Sequence, residues 1–205
     1  MPPLLMKGET IGGVTYPLPQ DLTQASDADL EVMRQQLGRT MRGVVGIAAR
    51  CVCGRPTVVR TAPRLPDGTP FPTTYYLTHP KASAVASRLE HEGLMREMAA
   101  LLAQDAGLRE AYLQAHVSYI ADRQEAGRMA GLEDVPEIAG VSAGGMPTRV
   151  KCLHALMGHA LARPGVNPLG EQALAKAKSL WSPQVCACVI DPQPAEPRQT
   201  ETRQA

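Results

Sequence analysis

The sequence predicts an α+β fold class: a small antiparallel sheet over about residues 43–78, packed with four to five helices. Three observations lead there. Gly43–Ala49 (GVVGIAA), Thr57–Thr61 (TVVRT) and Thr73–Thr78 (TTYYLT) are short and rich in β-branched or apolar residues. Turn chemistry separates them, above all Leu65-Pro66-Asp67-Gly68-Thr69. After Pro80, apolar residues recur at helical spacing. Hydrophobic residues make up 44% of the chain and aromatics only 3%, so the core falls to Leu, Val, Ala and Met.

The 205 residues suit one domain with tails. A Pro/Gly-rich segment over 1–21 is expected to be flexible. The domain spans 22–181, and a Pro/Gln/Glu-rich end over 182–205 reads as a disordered tail. Ser26 is an N-cap candidate for a first helix, with Asp27, Asp29 and Glu31 at its positive end. Leu30, Met33 and Leu37 form its apolar stripe, and Gly38 ends it. Pro80 suits the first turn of the next helix. Breaks follow at Gly93 and at Asp105-Ala106-Gly107, and Leu108, Tyr112, His116, Val117 and Ile120 make a further stripe. A glycine-rich loop over 128–145 feeds a helix expected from Pro147, and a last short helix covers Glu171–Trp181.

Charge is unevenly placed. Between Val32 and Pro66 stand seven arginines (34, 39, 42, 50, 55, 60, 64) and neither lysine nor acid, in a chain whose net charge is +1. Arginine is the cation suited to planar, bidentate contacts with phosphate or carboxylate. A solvated basic face explains the run equally well. From Glu90 to Glu137 ten acids face four basic residues. Arg149 and Lys151 fall where the loop enters its helix, a place whose free N–H groups suit an anion. The anion-binding candidates are therefore Arg50, Arg55, Arg60, Arg64, Arg149 and Lys151.

The thiols suggest a second chemistry. Cys51 and Cys53 in CVCG would point apart on a strand, but a turn at Gly54 lets both sulfurs converge. Cys152 and His159, seven residues apart, share a helix face. The metal-ligand candidates are Cys51, Cys53, Cys152 and His159, with His79 as an alternative fourth. Such a set suits zinc or an iron–sulfur cluster. The plainer reading is that Cys152 is a small buried hydrophobe. Cys186 and Cys188 fall in the expected tail and rank low as ligands. A cysteine nucleophile served by His79 or His154 is a further option. Five cysteines, an odd number, do not form a disulfide framework, and neither an apolar run of membrane length nor a signal peptide is apparent. The expectation is a cytoplasmic protein with reduced or metal-bound thiols. Few aromatics disfavour a single-stranded nucleic-acid platform.

CVCGRP at 51–56, LPDGTPFPTTYYLTHP at 65–80 and GGMPTRVKCLHALMGHALA at 144–162 resemble the domain of unknown function 501 family, met mainly in actinobacteria. The resemblance runs over roughly residues 22–170 and carries no activity with it. The leading expectation is an anion-binding protein for a phosphorylated small molecule or polyanion, beside a Cys/His cluster that holds metal or is structural. The alternatives are a protein–protein interaction module and a Cys- or metal-dependent enzyme.

Overall fold

The computed structural model describes residues 22–188 and, as backbone only, the strand pair β1 (Gly8–Ile11) and β2 (Val14–Pro17). Most of the expected flexible segment over 1–21, and the expected tail beyond residue 188, lie outside the described residues. The central sheet is β3 (Val44–Arg50), β4 (Pro56–Thr61) and β5 (Tyr75–Leu77), antiparallel in the order β3-β4-β5. Six α-helices surround it among the described residues, one more than the upper expectation: α1 (Asp27–Leu37), α2 (Pro80–His91), α3 (Leu94–Gln104), α4 (Ala106–Met129), α5 (Leu153–Ala162) and α6 (Pro168–Ala177).

The strands sort their side chains by the two-residue period of a pleat. Ala48, Val58, Tyr75 and Leu77 enter the main core with α2 to α6. Ile47, Val59 and Tyr76 face the other way, with Met33 and Leu37 of α1 and with Met41. The sheet is thus covered on both faces, and β4 is buried along its whole length. Each fully buried Val or Leu contributes about 1.5–3 kcal/mol over its exposed state.

Helix boundaries follow local chemistry. Ser26 and Asp29 form a reciprocal capping box on α1, and Gly38 closes it at φ 67°. Gly93 turns the chain between α2 and α3 at φ 94°. The Asp105 carboxylate accepts from Leu108 N at 2.9 Å to start α4. The buried stripe of α4 is carried by Tyr112, Ala115, Tyr119, Asp122 and Ala126. It lies one step from the expected one, because small alanines admit close packing while His116, Val117 and Ile120 sit half-buried at its margin.

The helix expected from Pro147 begins at Leu153 instead. Gly144 and Gly145 have φ of 69° and 93°, and the peptide Met146–Pro147 is cis. Their carbonyls take Lys151 N at 2.7 Å and Arg149 N at 2.9 Å, so the loop folds on itself first. Helix α5 is apolar almost all round and is buried accordingly. Gly158 allows α5 to lie on β5: a Cβ there would stand 3.1 Å from the Tyr75 carbonyl oxygen. Gly170 does the same for α6 on α5, where a Cβ would meet the Leu156 carbonyl oxygen at 2.3 Å.

Several polar groups inside this core are paired, although Thr57 Oγ1, Thr74 Oγ1 and His159 Nε2 find no hydrogen-bond partner. Tyr75 donates to the Asp122 carboxylate at 2.8 Å, and Arg163 donates to its other oxygen at 3.1 Å. Arg163 also reaches Ser118 at 3.5 Å. The Tyr119 hydroxyl accepts from Thr74 N at 2.6 Å.

Candidate metal centre

The CVCG segment leaves β3 and turns at once. Cys51 N donates to Arg55 O at 2.8 Å and Gly54 N donates to Cys51 O at 2.8 Å. Gly54 has φ 86°, a left-handed value that suits a residue without Cβ. Arg50 braces the turn from below. Its guanidinium donates to Gly54 O at 2.8 Å and to both oxygens of Asp29 at 2.7 and 3.0 Å. Asp29 belongs to the capping box of α1, so the turn is tied to that helix. The turn brings the Cys51 and Cys53 sulfurs to one side.

The other half arrives from the far end of the described chain. After α6, Trp181 N donates to Ala177 O at 2.8 Å, and the indole is buried. Ser182 to Val185 form a turn, with Val185 N donating to Ser182 O at 3.2 Å. This returns Cys186 and Cys188 to the CVCG turn. The ligand atoms of Cys51, Cys53, Cys186 and Cys188 all lie within 4.8 Å of one another. Cys53 Sγ and Cys188 Sγ are 3.6 Å apart, and all four thiols are free. Four sulfurs about a single ion at 2.3 Å per bond stand about 3.8 Å apart in a tetrahedron. The group can hold a metal ion.

His79 supports the group from behind. It is fully buried, caps α2 by accepting Ala82 N on Nδ1 at 3.4 Å, and places Nε2 3.3 Å from Cys188 Sγ. Because a backbone amide can only donate, Nδ1 is the acceptor and the proton sits on Nε2, aimed at the sulfur. Trp181 packs over the imidazole, with ring centroids 5.4 Å apart. Burial lowers the His79 pKa, which keeps the ring neutral. Burial raises Cys51 and Cys188. Cys53 is brought down to about 7, chiefly by the Arg55 amide. These N–H donors at sulfur are the kind of support that thiolate ligands require.

The sequence-predicted residues are thus divided. Cys51, Cys53 and His79 come together, with His79 behind the sulfurs as a donor. Cys152 is placed with Glu90 and His154 instead. His159 is fully buried, stacked on Tyr75 at 5.6 Å and edge-on to Tyr119 at 5.1 Å. Its Nδ1 takes Asn167 Nδ2 at 3.2 Å, and burial depresses its pKa to about 3. It is a neutral core histidine, distant in role from the thiols. The other members of the cluster are Cys186 and Cys188, which ranked low from the sequence. Their signal was a second Cys-x-Cys spacing, CAC echoing CVC.

The arginine run is largely satisfied within the fold. Arg50 is held by Asp29, and Arg42 pairs with Asp67. Arg64 takes both oxygens of Glu137 at 2.8 Å. Arg60 is buried and donates to the Asp122 carbonyl. Arg55 is half-buried, with its backbone engaged in the CVCG turn. Arg149 and Lys151 are exposed, before α5 rather than in it. The anion at that helix end is the protein's own: Glu90 accepts Leu153 N at 2.7 Å. No helix among the described residues is long and apolar enough to cross a membrane.

Neither the curated proteins nor the solved structures contain a match to this chain. A family model described as "Protein of unknown function (DUF501)" matches residues 47–175. That span includes Cys51, Cys53 and His79 but stops short of Cys186 and Cys188. With well over half its length covered, the chain belongs to the DUF501 family.

Proposed function

We propose that the protein binds one zinc ion through Cys51, Cys53, Cys186 and Cys188, and that this ion fastens the segment after α6 to the turn after β3. The observation that carries the reading is the convergence of four free sulfurs within 4.8 Å. Such spacing favours a mononuclear centre, since the irons of a cluster hold their thiolates farther apart. Four protein ligands close a tetrahedral ion, and closed zinc sites are structural, whereas catalytic ones keep a position for water or substrate. The amides of Cys53 and Arg55 and the His79 N–H offset the negative charge of four thiolates.

Elemental analysis of protein purified without chelator tests this. One zinc per chain is expected, falling to none in a Cys186→Ser/Cys188→Ser double variant. Cobalt substituted for zinc should give the strong d–d bands of a tetrahedral thiolate site. Metal-free protein with all five thiols freely titratable overturns the proposal. A red iron centre overturns the choice of metal and keeps the ligand set.

A further inference from the structure

A second group of reactive side chains lies outside the thiol centre. Cys152 occupies the N-cap of α5, and His154 sits in its first turn. His154 Nδ1 is 3.9 Å from Cys152 Sγ and 3.2 Å from Glu90 Oε1. His154 Nε2 is 3.2 Å from Ser87 Oγ. Glu90 is fixed in turn by Leu153 N at 2.7 Å. A thiol, an imidazole and a carboxylate therefore meet between α2 and α5, each half-buried and each held by a further partner.

We propose that Cys152 is a peroxide-reactive thiolate, with His154 as its proton donor and Glu90 as the residue that keeps His154 oriented and charged. The thiol and the carboxylate share one imidazole nitrogen: Nδ1 faces both Cys152 Sγ and Glu90 Oε1, while Nε2 faces Ser87 Oγ. Burial alone raises the Cys152 thiol, but the His154 contact and the Ala155 amide outweigh it and bring the thiol below its ordinary value. The Cys152 sulfur raises His154, burial opposes, and Glu90 adds to the rise, to about 9. Of the charged groups that bear on Cys152, His154 favours the thiolate and Glu90 opposes it directly. The contact between Cys152 and His154 thus favours a thiolate beside an imidazolium. A helix N-terminus and a neighbouring cation are the surroundings in which cysteines become reactive.

The step balances with a hydroperoxide as oxidant. A sulfur lone pair of Cys152 forms the S–O bond as the peroxide O–O bond breaks. The departing hydroxide takes the Nδ1 proton of His154 and leaves as water. Sulfur is oxidised to sulfenic acid and the peroxide is reduced. A hydroperoxide is small enough to need no enclosed pocket. The four other thiols belong to the other cluster, so the sulfenic acid persists or condenses with a small thiol, releasing water.

The test uses the full chain, with and without zinc, and reads the modified peptide by mass spectrometry. This identifies Cys152 whatever the state of the other four cysteines, so its outcome is separate from that of the zinc proposal. Iodoacetamide at pH 6 should label Cys152, and low hydrogen peroxide with dimedone should trap it as a sulfenic acid. His154→Gln removes the neighbouring cation and should slow the pH 6 alkylation about tenfold, the effect of one unit in thiol pKa. Cys152 that alkylates only as an ordinary thiol does above pH 8, or that yields no dimedone adduct, overturns the proposal. So do unchanged rates in folded His154→Gln. The wild-type pH profile decides the matter should the variant fail to fold.

Discussion

His79 makes two contacts that can be separated by substitution. His79→Ala removes the Nε2–H beside Cys188 Sγ at 3.3 Å and the Nδ1 acceptor at Ala82 N. Losing a donor to a metal ligand costs roughly 10–100-fold in metal affinity, which is about 1.4–2.7 kcal/mol. Losing an N-cap costs about 1 kcal/mol of folding stability, whether or not metal is bound. His79→Asn keeps a cap acceptor but is too short to reach the sulfur. The two losses therefore part company. In competition with a chromophoric chelator, both variants should give up zinc 10–100-fold more readily than wild type. In urea with excess chelator, His79→Ala should be the less stable of the two. If His79→Ala holds zinc within twofold of wild type, Nε2 supports no thiolate. If His79→Asn restores wild-type affinity, the effect runs through the helix cap and the argument from the imidazole fails.

Gly170→Ala would put a Cβ 2.3 Å from the Leu156 carbonyl oxygen and 2.8 Å from Ala160 Cβ, so α6 must lift from α5. Overpacking of this kind costs about 1–3 kcal/mol, and the urea midpoint should fall accordingly; an unchanged midpoint would show that the helices have slack. The hydrogen bond from Arg50 holds the Asp29 carboxyl at about 2, below its ordinary 3.8. A carboxyl depressed in the folded state stabilises at pH above its unfolded value, and this stabilisation is lost as pH falls from about 4 through 2. The pair is partly exposed, so screening limits it to about 1 kcal/mol. The stability gap between wild type and Asp29→Asn should narrow between pH 6 and pH 2.5, and a gap independent of pH would count against the pair.

Much of the fold is readable from local chemistry. Ser26 and Gly38 bound α1, Gly93 and Asp105 divide the helices, and the β-branched runs become β4 and β5 nearly where expected, because each signal acts within a few residues. The convergence of Cys51 and Cys53 was also readable, since Gly54 permits the turn. Their partners were hidden by composition: Cys186 and Cys188 stand among Pro and Gln residues that suggest a tail, and only the repeated Cys-x-Cys spacing spoke against it. Charge counted along the chain misled for a different reason. The acids that neutralise Arg42, Arg50 and Arg64 are Asp67, Asp29 and Glu137, and two of the three lie outside the stretch by only a few residues while Glu137 is far away in sequence. Pairing is a property of the folded chain. The start of α5 moved from Pro147 to Leu153 because Gly144 and Gly145 close a turn that helical periodicity does not register.

The sulfurs of Cys51, Cys53, Cys186 and Cys188 bracket a stretch of chain that holds β4, β5 and every helix from α2 to α6. An ion joining its ends acts on the unfolded ensemble as a cross-link does, by shrinking the space a long loop can explore. By the chain-entropy relation used for disulfides, closing a loop from residue 51 to residue 188 is worth about 5 kcal/mol. An ion that needs both pairs of sulfurs would close that loop only after α6 has left the ribosome.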